Sequence, residues 1–137
     1  MSDVAASLRD EVVRRAGDRC EYCGLSQAGQ EATFHMDHVV PRVADGPTDQ
    51  SNLALACVSC SLRKGARTTA SDPLTGEEAP LFSPRTQTWT DHFLWEGVEV
   101  VALTPTGRAT VVALAMNRPL ALAIRQEEAE RGRHPPR

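Results

Sequence analysis

Four cysteines constrain this chain more than anything else in it: they fall into two pairs, Cys20-x-x-Cys23 and Cys57-x-x-Cys60, with 33 residues between the pairs. A two-residue gap lets a tight turn aim both sulfurs at one point. Two such turns supply the four soft ligands that tetrahedral Zn²⁺ takes. The alternative is two independent pairs, or one redox-active pair beside a buried one. In a reducing cytosol, metal thiolates are favoured over disulfides. The expectation is one structural zinc ion on Cys20, Cys23, Cys57 and Cys60. A closed four-thiolate site has no open coordination position and leaves no thiol as a nucleophile, so any chemistry must come from oxygen and nitrogen groups elsewhere. Aromatic residues make up only 4% of the chain, so its core is light and gains from a metal staple.

At 137 residues the length suits one domain with a terminal extension. No apolar run approaches the roughly 18 residues of a membrane span, and none is longer than Val111 to Met116. Met1 to Leu8 shows no basic patch followed by an apolar segment, so no secretory signal is expected and the compartment is read as cytoplasmic. The formal net charge of -3 argues against coating nucleic acid by bulk electrostatics, though a local basic site is compatible with it. Zinc on four thiolates adds two further negative charges.

The apolar spacing of Val4, Leu8 and Val12 predicts a helix that stops at Gly17. Thr33 to Val40 reads as a strand closed by Pro41, and Leu53 to Ala56 as a second strand leading into the second cysteine pair. Ser61 to Lys64 reads as a short helix ended by Gly65. Thr68 to Pro80 reads as a connector with turns at Asp72-Pro73 and Thr75-Gly76. Glu99 to Leu103 alternates weakly as a strand, Thr104 to Gly107 reads as a turn, and Arg108 to Asn117 fits either helix or strand. Leu120 to Glu130 reads as a solvated helix, and Gly132 to Arg137 should fray. Trp89, Phe93 and Trp95 hold three of the six large aromatic side chains, so the last third must pack on something.

His35, Asp37 and His38 lie within four residues on the first strand, and Asn52 opens the second. On an extended chain His35 and Asp37 share one face. The plain reading is that these are strand-end groups bonded locally. The functional one is a hard divalent cation on Asp37, with His38 free to deprotonate water.

Phe34 to Arg42, followed by Gly46, Ser51-Asn52-Leu53, Cys57-Val58-Ser59-Cys60 and Lys64-Gly65, resembles the HNH endonuclease family, in the subclass braced by two Cys-x-x-Cys knuckles. The resemblance implies an α+β fold: a ββα-metal (His-Me finger) core over residues 1–70, braced by the four-cysteine zinc site and preceded by a helix. A mixed C-terminal extension, 71–137, would pack on it. It implies a metal-dependent endonuclease that hydrolyses DNA phosphodiesters. Asp37 takes the place of the first cation ligand, His38 that of the general base, and Asn52 that of the asparagine that fixes the loop around this histidine. The catalytic cation would be Mg²⁺, Mn²⁺ or another divalent ion.

Two positions depart from the family's pattern. Ser61 stands where a histidine or asparagine usually completes the cation site, and His35 stands where glutamate is common. His35 either compensates as a nitrogen ligand, which would favour Mn²⁺, Ni²⁺ or Zn²⁺, or it supports the ligands from behind or faces phosphate. Arg42, Arg63, Lys64 and Arg67 form a candidate phosphate rim, against the plain reading of a solvated face. DNA is the expected substrate, a dimer or a DNA-binding protein partner would help an acidic body hold it, and no membrane is involved. The alternative to a nuclease is a non-catalytic zinc module that binds nucleic acid or a protein.

Overall fold

The computed structural model describes residues 4–136. Helix α1, Ala6–Arg15, precedes the first cysteine turn and ends as Gly17 turns left-handed, at φ +65°. Strand β1, His35–His38, pairs antiparallel with β2, Leu53–Ala56, in a register that sets His35 opposite Ala56 and Asp37 opposite Ala54. Helix α2, Val58–Lys64, follows at once and packs on both strands, which completes a ββα unit. All four residues of β2 are buried because α1 also packs against it, so the strand reads as an unbroken apolar run. The fold class is α+β, as expected.

The first cysteine turn is sewn to β2 by its own backbone. Glu21 N donates to Leu55 O at 2.8 Å, while Leu55 N donates to the Glu21 carboxylate at 2.8 Å. Arg85 from the C-terminal part pairs with the other oxygen of Glu21 and also reaches Leu53 O at 3.1 Å. An edge strand with unpaired backbone groups is thereby covered.

The remaining elements are β3 (Thr69–Ser71), β4 (Glu78–Pro80), the single turn α3 (Trp89–His92), β5 (Phe93–Glu96), β6 (Glu99–Ala102), α4 (Pro105–Ala113) and α5 (Pro119–Glu130). β3 pairs with β4 and β5 with β6, each antiparallel. The main buried cluster joins Tyr22, Phe34, Leu53 and Leu55 to Phe82, Phe93, Leu114 and Met116, so it draws on both sides of position 70. Trp89 stacks on Trp95 at 5.0 Å between ring centres and tilts against Phe93, which accounts for the aromatic residues of this region.

Four local expectations are corrected. Residues 68–80 form a hairpin and not merely a connector, because Asp72 accepts from Leu74 N and Thr75 Oγ1 at the turn. Thr104 is a helix cap whose Oγ1 accepts from Gly107 N, and Pro105 begins α4, so the expected turn is the first turn of a helix. Helix α2 starts three residues earlier than expected, with the Cys57 sulfur accepting from Cys60 N. Helix α5 is not simply solvated, since Arg125 and Glu128 are buried. Of the expected frayed tail, residue 137 lies outside the described residues; residues 133 and 134 bond to Glu128 and Gly97.

Candidate metal centre and the pocket of the ββα unit

Cys20, Cys23, Cys57 and Cys60 are all buried, all unpaired by disulfide, and their sulfurs lie within 4.8 Å of one another. The Cys23 and Cys57 sulfurs are 3.7 Å apart. A disulfide would need about 2.05 Å, whereas two corners of a tetrahedron with zinc–sulfur bonds of about 2.3 Å are separated by about 3.8 Å. The donors therefore fit zinc in number, chemistry and spacing, and this is a structural zinc site. Hydrogen bonds from Cys20, Cys23 and Cys60 push the Cys57 thiol well below its ordinary value, while burial pushes Cys20 up. Four thiolates so close together require the cation.

The ββα unit sets a second group of side chains in one shallow pocket of about 370 Å³, with His35, Asp37, His38, Arg42 and Ser61 on its walls. The cause is periodicity. His35 and Asp37 project from one face of β1, and Ser61 and Lys64, one turn apart on α2, meet them. His35 Nδ1 shares a hydrogen bond with Ser61 Oγ at 2.9 Å. Asp37 is only 7% exposed, accepts from the Tyr22 hydroxyl at 2.7 Å, and lies 3.2 Å from the Lys64 ammonium. Burial pushes its carboxyl above the ordinary value, and the Lys64 charge and Tyr22 hydroxyl pull the other way.

Asn52 is buried and pins the loop that follows β1. Its amide accepts from Val40 N and donates to Val40 O and Pro47 O, each at 2.9 Å. The loop is so tight that a Cβ on Gly46 would lie 1.7 Å from Val40 O, so only glycine fits. This loop presents Thr48, whose Oγ1 is 2.7 Å from His38 Nε2, and Arg42, whose Nε approaches the same nitrogen at 3.5 Å. His38 is thus held half-exposed at the mouth of the pocket.

The structure divides the expected phosphate rim. Arg42, Arg63 and Arg67 are exposed, but Lys64 is 2% exposed and donates to His38 O and Val39 O as well as pairing with Asp37. Its place is therefore inside the unit and not on the rim. Arg63 leans back on Ser59 and lines a different, largely apolar groove shared with Arg118. Arg67 donates to Arg63 O. His92 stays apart from all of this, bonded to Thr104 Oγ1 at 2.6 Å.

For a second, hard cation, the donors among the described residues are one carboxylate, two imidazoles and one hydroxyl. The carboxylate is already neutralised by Lys64, the His35 imidazole and the Ser61 hydroxyl are bonded to each other, and the His38 imidazole is bonded to Thr48. That set does not make a hard-cation cage, which takes several oxygen donors. Among the described residues the four cysteines are the only cluster of three or more His, Cys, Asp or Glu side chains arranged to share an ion.

The residues that position these groups but escape sequence reading are Tyr22, Thr48 and Arg125. Tyr22 sits between the first two cysteines, and that adjacency was its only sequence signal. Residues 20–67 match the HNH endonuclease family model. No curated protein and no solved structure matches the chain.

Proposed function

We propose that this chain, which carries an HNH endonuclease family domain over residues 20–67, is a zinc-braced module that binds the phosphodiester backbone of DNA at the pocket between β1, its following loop and α2. The observation that carries this reading is the buried pairing of Asp37 with Lys64 at 3.2 Å. It neutralises the one carboxylate among the described residues lining the pocket, whose other polar side chains include His35, His38 and Arg42. Neutral or cationic donors on an otherwise acidic body are what local phosphate binding requires. A zinc-thiolate frame suits a reducing cytoplasm. No helix is long and apolar enough to cross a membrane, as judged over the described residues.

Hydrolysis of the bound backbone is a second reading, favoured by the placement of His38. Asn52 pins its loop and Thr48 orients its ring, which is how a general base is held. His38 would take a proton from water at the mouth of the pocket.

One pair of measurements separates these readings. In anisotropy titrations of labelled duplex DNA without divalent cation, Arg42→Ala should weaken binding and flatten the salt dependence by about one unit in the log–log slope, as loss of a phosphate contact does. With Mg²⁺ or Mn²⁺ added, plasmid nicking that disappears in His38→Ala supports hydrolysis, and binding without nicking supports the binding module. Absence of DNA binding in the wild-type protein would overturn both.

A further inference from the structure

Arg125, on α5, is 1% exposed and lies against the zinc site. Its guanidinium donates to Cys23 O at 3.1 Å, Met116 O at 2.7 Å and Val98 O at 3.0 Å, and Trp95 lies 5.2 Å from its Cζ. Backbone carbonyls are neutral, and Nε has no hydrogen-bond partner among the described residues. No carboxylate pairs with Arg125 among the described residues; the ion pairs involve Lys64, Arg85, Arg108, Arg131 and Arg133. A guanidinium removed from water needs an opposite charge nearby, or its burial is strongly unfavourable. The group its geometry sets it beside is the ligand set, since it bonds directly to the backbone carbonyl of the zinc ligand Cys23. Zinc on four thiolates carries two net negative charges, likewise buried.

We propose that Arg125 is the internal counter-ion of the zinc–tetrathiolate centre, so that the metal and helix α5 stabilise each other across 102 residues of sequence. The dianion supplies the charge that Arg125 lacks, and Arg125 offsets half of a charge that the core must otherwise hold unpaired. The carbonyl of Cys23 fixes the guanidinium beside the ligand turn, and Met116 and Val98 tie it to the C-terminal elements. By linkage, whatever zinc gains from Arg125 the packing of α5 gains from zinc.

The experiment compares Arg125→Lys, Arg125→Gln and Arg125→Met with the wild-type protein for zinc affinity, by competition with a coloured chelator. Arg125→Met and Arg125→Gln should bind zinc at least about tenfold more weakly, with Arg125→Lys between them and wild type. In the Co²⁺-substituted proteins, loss of the cation should move the thiolate-to-metal charge-transfer band to longer wavelength, a shift that altered packing alone does not produce. If these variants fail to fold, hydrogen exchange of the wild-type protein with and without chelator decides. Amides of 119–130 should lose protection when zinc is removed. Folded Arg125→Met with wild-type zinc affinity and band position, or α5 protection indifferent to zinc, would overturn the proposal.

Discussion

The Tyr22 hydroxyl joins the metal frame to the pocket. The residue sits in the turn between Cys20 and Cys23, 1% exposed, and reaches across to the Asp37 carboxylate. A buried hydrogen bond to a charged group contributes about 1.5–3 kcal/mol. Tyr22→Phe should therefore lower unfolding stability by about that amount in urea titration while leaving one zinc per chain. The same substitution should weaken DNA binding less than Arg42→Ala does, because Lys64 still neutralises Asp37. Tyr22 illustrates what sequence reading reaches at this scale. The cysteine pairs and the His35, Asp37, His38 and Asn52 set were legible because each is a local pattern. The inward turn of Lys64 and the burial of Arg125 were not, since both depend on partners that the fold brings from 27 and 102 residues away.

Among the elements, β1, β2 and α1 follow from periodicity and from Gly17 and Pro41 as stops. The β3–β4 hairpin does not, because its strands are three residues long and stand only with help from elsewhere. That help is visible. Arg108 on α4 grips Asp72 with two hydrogen bonds, at 2.8 and 2.9 Å, and α4 packs on both strands. The Arg108 guanidinium holds the Asp72 carboxyl well below its ordinary value. A carboxyl whose folded pKa is depressed stabilises the fold above its unfolded pKa of about 3.9 and loses that contribution only as pH falls towards the folded value. Asp72→Asn should accordingly lower the urea midpoint at pH 7 and equally at pH 5, with the gap to wild type closing only below about pH 4. A gap that closed by pH 5 would mean that the ion pair does not set the pKa.

At the scale of the whole molecule, zinc organises two faces at once. On one side its ligand turns hold β2, Tyr22 and, through them, the pocket with His38 and Arg42. On the other, Cys23 meets Arg125 and the C-terminal elements. Only the first of these follows from the order of motifs along the chain; the second needs the packed structure, in which Phe82, Phe93, Leu114 and Met116 complete the core around the cysteines. The most direct test is to measure duplex-DNA affinity, in the absence of any other divalent cation, for zinc-loaded protein, chelator-stripped protein and stripped protein reloaded with one equivalent of zinc. Binding should be lost on stripping and restored on reloading. Equal affinity in all three states would contradict a DNA-binding pocket braced by zinc.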